Sequence, residues 1–393
     1  MSNNKIKKLL SPAEEILLAN QLNDVNITLE SIEAVINTGQ ETLKNHPDTI
    51  TTDMIINYHK HSKYLLGKLS EEVSLLGIDD TIIKEGSVTL EAIDDLYTDP
   101  KVALEGIMDS IKKGIKTIIG FIVAIINTIL ASIFLVGGLI VLVIWGVYKK
   151  IIDIVSTATH WVVGSKVKGN YYFKSFDDFK TALDEASDIN TAIYSSIVKV
   201  NAVIVDGLYP MVRTDKDWNT IDTFYLPKMN TYISELYKAI LVEGKSNKFI
   251  RITPGAVEGQ VKFEFKNKKP VYKKMKVPTK KVLKGSLSTI TSKNHKKRFV
   301  INTEQVEILK KTLEGIAKVY DKQPDGEQKT KLNKLLMEIR TYVMLVVGGI
   351  SMVSSVYKTQ ARDVFTIVSN IPELELPNEW KDDITHVFTK ANS

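Results

Sequence analysis

From Thr117 to Tyr148 the chain runs for 32 residues without a charge. Of these, 24 are apolar and four are Gly; only Thr117, Asn127, Thr128 and Ser132 are polar. A bilayer core of ~30 Å needs ~20 apolar residues as a helix. At about 1.5 Å per residue this stretch would span roughly 48 Å. It is long enough to cross a membrane, and few soluble folds require such a segment. Ile118, Phe121, Ile125, Ile129, Ile133, Leu139, Leu142 and Trp145 are its candidate lipid-facing residues. Lys112, Lys113 and Lys116 precede it, and Lys149 and Lys150 follow it. This symmetric flanking gives no orientation by loop charge. Gly120, Ala124, Thr128 and Ser132 recur every four residues, a stripe of small side chains on which another helix can pack closely. The Gly137-Gly138 pair offers an alternative, a hydrophobic hairpin with two short arms. The competing reading is a buried central helix of a soluble helical protein.

Charge is distributed as unevenly as hydropathy. Residues 1–100 hold 8 Lys against 17 acids, a net of −9, whereas 245–298 hold 17 Lys and Arg against Glu258 and Glu264, a net of +15. The basic residues are Lys262, Lys266, Lys268, Lys269, Lys273, Lys274, Lys276, Lys280, Lys281, Lys284, Lys293, Lys296, Lys297 and Arg298, interleaved with Phe263, Phe265 and Tyr272. Lysine dominates over arginine, which suits sequence-independent contact with phosphates rather than base reading. Nucleic acid and anionic lipid headgroups are both candidate partners. A solvated loop, or one docked on the acidic N-terminal part, is the bland alternative.

Helical periodicity covers most of the rest. Ser11-Pro12-Ala13-Glu14 starts a helix, and Leu18, Leu22, Val25, Leu29, Ile32 and Ile36 follow at 4-3-4-3-4 spacing. That is a heptad seam; it predicts a hairpin with a second helix over 52–76, or self-association as a homo-oligomer. A short helix is expected over 89–97. From Pro100 an amphipathic helix with Val102, Ala103, Ile107, Ile111 and Ile115 on one face leads into the uncharged stretch, and Gly164 to Gly169 ends the helical run. Ser175 caps a helix whose stripe is Phe179, Leu183, Ala186, Ile189, Ile193, Ile197, Val200 and Ile204. Another runs from Pro227 to Gly244. Val261, Phe263 and Phe265 alternate with charged residues as a strand does, and Val271-Tyr272 and Phe299-Val300-Ile301 read as further strands. Asn302-Thr303-Glu304-Gln305 reads as a capping box opening a helix to Tyr320. A long final helix carries Leu332 through Tyr357; its uncharged part, 341–357, reads as the packing partner of 117–148 or as a second membrane segment.

The expected fold is mainly α, a helical bundle or long helices around a central hydrophobic helix or hairpin, with a small antiparallel β insertion. Its parts are an acidic helical hairpin region (1–98), the long amphipathic and hydrophobic helix (99–163), a helical region (170–244), the basic β insertion (245–303) and C-terminal helices (304–393). No Gly-rich phosphate loop, nucleophile elbow or His-Glu-x-x-His is present. His59 and His61 are two apart, on different helix faces, whereas zinc helices use spacings of three or four. There is no cysteine. The sequence reads as a non-enzyme with no catalytic residue, metal site or cofactor.

At Val88-Thr-Leu-Glu-Ala92 and Ala103-Leu-Glu-Gly-Ile107, followed by the Lys-rich amphipathic helix, the sequence resembles internal head proteins of large tailed bacteriophages. The resemblance covers residues 11–120. It implies residence with DNA and other virion proteins inside a capsid, ejection with the genome, and trimming after small- or aliphatic-x-Glu tripeptides, which would place cleavage after Glu85 and Glu105. The long apolar stretch departs from that pattern and adds a membrane step. The combined expectation is an internal virion protein that binds DNA non-specifically and inserts 117–148 into the host inner membrane during genome delivery. The alternatives are an α-helical pore-forming toxin-like protein and a resident, membrane-bound protein with a basic polyanion-binding domain.

Overall fold

A computed structural model describes residues 12–75, 80–91, 99–114, 123, 152–153, 155–156, 163–214, 217–245, 247–255, 261–267, 269–290, 293–323 and 326–370. The lipid-facing candidates and the small-residue stripe of 117–148 lie outside these residues, as do Lys268 and the tail from 371. Val123 is helical and half-buried against the core; Val155, beyond the stretch, is fully buried.

Helix α1 (Pro12–Asn45) carries the heptad seam, with Val25, Leu29 and Ile32 buried and Ile36 half-buried. A short turn at Pro47–Thr49 returns the chain into α2 (Thr52–Leu75), which buries Ile55, Leu66, Leu69 and Val73. The two helices pack on each other as the expected hairpin. Helix α3 occupies Thr81–Glu91 and packs on α4 (Pro100–Gly114); of the helix expected over 89–97, residues 89–91 are helical and the rest lie outside the described residues. Asp99 caps α4: its Oδ1 accepts the Lys101 N–H at 2.9 Å. Ala103, Ile107 and Ile111 face the core, but Val102 is exposed because it stands one position off their stripe.

Ser175 Oγ accepts the Asp178 N–H at 3.2 Å and starts α5 (Phe176–Asn201). All eight residues of its stripe, Phe179 to Ile204, are buried. The helix widens into a π-type segment, Ala202–Leu208, and ends in α6 (Tyr209–Arg213). A second π-type turn, Ile221–Tyr225, leads into α7 (Leu226–Lys245). After the strands come α8 (Lys280–Ile290), α9 (Lys293–Tyr320) and α10 (Glu327–Ser369).

Helix α10 is the axis of the molecule. It contacts α1, α5 and α7, and Leu332, Leu335, Leu336, Ile339, Val343, Val346, Ile350, Val353 and Tyr357 are all buried. Two described helical runs, Phe176–Arg213 and Glu327–Val364, are long and apolar enough to cross a membrane by length and composition; the most apolar window of the second is 89% buried within the protein. That burial makes 341–357 part of the core. The Gly348-Gly349 pair follows from packing. A Cβ at Gly348 would lie 2.8 Å from the Phe263 ring and one at Gly349 would lie 2.6 Å from Ile193 Cδ1. The bare backbone lets a strand and α5 press against the helix.

The strands form two antiparallel pairs. β2 (Ile250–Pro254) and β3 (Val261–Phe265) make a hairpin, with Val261, Phe263 and Phe265 turned inward as their alternation predicts. β4 (Tyr272–Lys276) does not join them. It pairs with β1 (Lys166–Tyr171), the segment expected only to break a helix. Phe299-Val300-Ile301 lies in α9 rather than in a strand, and the capping-box residues from Asn302 are helical interior. The buried stripe of α9 is Asn302, Val306, Leu309, Leu313 and Ile316. A polar residue at its first position conceals the period. Asn302 Nδ2 donates to Asn190 Oδ1 at 2.7 Å and to Asn190 O at 3.0 Å, so the amide nitrogen is paired across the α5–α9 contact rather than at a helix end.

A candidate polyanion-binding surface

The basic residues of 262–284 stand largely on the outside. Lys262 projects from β3 opposite its three buried neighbours; Lys266 and Lys269 follow it, exposed. Lys273, Lys274 and Lys276 are exposed on β4, as is Lys281 on α8, where Lys280 and Lys284 are partly covered. Lys293, Lys296, Lys297 and Arg298 fall in the opening turns of α9. Among the described residues Lys262, Lys266, Lys269, Lys274, Lys276 and Lys281 form no ion pair, while pairs occur elsewhere, as between Lys248 and Asp178.

The β1–β4 pairing adds two lysines that sequence reading did not include. Lys166 lies opposite Lys276 and Lys168 opposite Lys274, with Val167 opposite Met275 between them. Val167 and Met275 are buried and all four lysines are exposed, so the alternation of both strands puts four ammonium groups on the outer face of one ribbon. Directly opposed residues have Cβ atoms ~4.5–5.5 Å apart, and like charges so placed are destabilising. None of the four has a carboxylate partner among the described residues. The ladder continues past the strand ends: Gly164 N–H donates to Val277 O at 3.0 Å and Val277 N–H to Ser165 O at 2.9 Å. At the other end a bulge between Lys168 and Tyr171 shifts the register by one residue, so that Tyr171 lies opposite Tyr272. The bulge contains Gly169, where a Cβ would meet Thr366 Cγ2 at 2.6 Å. Close approach of the strand to α10 therefore requires glycine there. Lys273 Nζ donates to Asn170 Oδ1 at 2.7 Å across the same ribbon.

Two buried carboxylates hold the strands to the helices. Asp363 of α10 accepts the Tyr172 N–H at 2.9 Å on each oxygen and the Phe173 N–H at 2.9 Å on Oδ2. Burial pushes its pKa up to about 7, outweighing the amide donors and Arg362, which favour the charged form. Burial and the Asp363 charge together push the Tyr171 hydroxyl up to about 12. Arg362 Nη1 donates to Tyr172 Oη at 3.2 Å and its guanidinium lies 5.6 Å from the ring centre. On the other side Glu185 of α5 accepts N–H groups of Lys248 at 2.6 Å, Phe249 at 3.0 Å and Ile250 at 2.9 Å. Phe173 fills the space between these anchors, with its ring centre 5.9 Å from Phe179, 5.5 Å from Phe249 and 6.2 Å from Phe265. The basic ribbon is thus mounted on a rigid support.

The remaining candidate residues are dispersed. His59 is buried and its Nε2 lies 3.0 Å from Leu90 O, whereas His61 is exposed on the opposite face of α2. Among the described residues no three His, Asp or Glu are grouped to hold a metal. Glu85 and Glu105 are exposed but lie within α3 and α4. A protease that binds extended backbone would have to unwind either helix first. Comparison with protein-family models, curated proteins and solved structures finds no match to this chain.

Proposed function

We propose that the protein is an internal virion protein that travels with a phage genome, holds DNA through phosphate contacts, and places 117–148 in the host inner membrane during delivery. The observation that carries the DNA part is the four-lysine face of the β1–β4 ribbon, flanked by further exposed lysines, none of the four having a carboxylate partner among the described residues. Lysine ammonium groups are mobile point charges; they neutralise phosphates without reading bases. The membrane part rests on the uncharged length of 117–148, which exceeds what a core helix needs.

Fluorescence anisotropy with two unrelated duplexes over a salt series tests the DNA part. Counterion release gives a log–log slope of about −0.9 per phosphate neutralised, so four contacts give roughly −3.6. Both duplexes should bind alike. Affinity that is insensitive to salt, or that differs strongly between the duplexes, rules the reading out. A second reading, a pore-forming toxin-like protein, rests on the same uncharged stretch, 117–148, and needs no nucleic acid. Dye release from vesicles by protein freed of nucleic acid separates it from the first.

A further inference from the structure

We propose that the β1–β4 ribbon is also a docking face for an anionic membrane surface. Lys166, Lys168, Lys274 and Lys276 would sit among lipid phosphates and Val163 and Val271 would enter the headgroup boundary. This rests on the membrane step proposed above. Val163 precedes the Gly164 that closes one end of the ribbon, and Val271 precedes Tyr272 at the other. They are 54% and 65% exposed. An exposed apolar side chain at each end of the ribbon gives phosphates along a duplex nothing to bind, but it matches the apolar layer beneath lipid headgroups. Chain order supports the same partner. Seventeen residues, 149–165, separate Tyr148 from β1, and 17 residues extend to at most ~60 Å. Once 117–148 is in a bilayer, the ribbon is confined near its surface.

A lysine close to an anionic leaflet contributes about 1 kcal/mol, or roughly fivefold in partitioning, so four contribute several hundredfold. Flotation of the full-length protein with phosphatidylcholine vesicles, with and without phosphatidylglycerol, at low and high salt, tests the inference. The ribbon variant is K166Q/K168Q/K274Q/K276Q, the tip variant is V163S/V271S, and Leu142→Lys separates docking from insertion. Circular dichroism establishes that each is folded. The expected result is that Leu142→Lys still floats with anionic vesicles at low salt. The ribbon substitutions should lower that association several hundredfold and the tip substitutions should lower it severalfold. If Leu142→Lys fails to float with anionic vesicles at low salt, or the ribbon substitutions leave its flotation unchanged, the inference is overturned. Ribbon substitutions that abolish DNA binding but leave the anionic flotation of Leu142→Lys intact assign the face to nucleic acid alone. Ribbon-dependent flotation that disappears at high salt in the parent as well leaves the docking face standing and removes the insertion step.

Discussion

Asp363 and Tyr172 meet 191 residues apart in sequence, a carboxylate near the end of the last helix taking the backbone N–H that closes the first strand, at 2.9 Å. The contact makes the orientation of the lysine ribbon a property of the helical core. The same carboxylate also receives Phe173 N–H, so its loss would orphan two buried donors. Asp363→Ala should destabilise the protein by about 2–4 kcal/mol, the range for removing a buried charged acceptor. Urea unfolding measures this. A cost below about 0.5 kcal/mol would mean that the ribbon is held by packing alone.

The acid limb of the stability curve carries a signature of the same group. Its folded pKa of about 7 stands above the ordinary carboxylate value of 3.8. Between those values the folded state binds more protons than the unfolded one, so the contribution of Asp363 is fully present below pH 3.8 and is lost as pH rises through about 7. Asp363→Asn should flatten this part of the curve between pH 4 and 7. An unchanged slope would show that the residue does not titrate there.

Lys358 acts with the opposite sign on the alkaline side. Burial lowers its pKa from 10.5 to about 7. Between these values the unfolded state holds the extra proton, so stability rises with pH from about 7 to 10.5 on this account. Lys358→Met should raise the urea midpoint at pH 6–7 and give a smaller gain at pH 10. A gain that does not shrink with pH would mean the desolvated charge is not what the substitution relieves.

Gly348 and Phe263 form a matched pair, since a Cβ at 348 would stand 2.8 Å from the ring. Alanine is the better helix former by about 1 kcal/mol, yet Gly348→Val should cost about 1–3 kcal/mol through overpacking. Shortening the ring with Phe263→Leu should recover part of that loss. Additive effects in the double variant would separate the two residues energetically.

The α5 and α10 stripes were legible because their apolar period runs unbroken for many turns, and every residue named from them is buried. β1 was not legible in the same way. Lys166-Val167-Lys168 offers one buried residue between two charges, and its partner strand is remote: Asn170 and Lys273, which bond across it, are 103 residues apart. The start of α9 was hidden by Asn302 and Thr303, polar residues in core positions; the Asn302 side-chain nitrogen finds its partner on another helix. The nine exposed or half-exposed basic residues from Lys262 to Lys284 were found from composition, but the four that the ribbon aligns needed the register. Lys166 and Lys168 lie outside the basic segment, and nothing local ties them to it.

The ribbon also allows stability and binding to be set against each other. Lys166 and Lys276 are directly opposed and exposed, and opposed like charges are unfavourable where opposite charges contribute roughly 0.2–1 kcal/mol. Lys276→Glu should therefore raise the unfolding free energy measured in urea by an amount in that range. The same substitution removes one phosphate contact and adds a repulsive charge, so the DNA salt slope should fall by about one unit or more. Lys262→Glu, on the other sheet, is the control, since no lysine stands across from it; Thr253 does. If Lys276→Glu weakens both stability and binding, the residue serves the fold. If stability rises while binding falls, the opposed lysines are retained at a cost to the fold, and polyanion contact accounts for them.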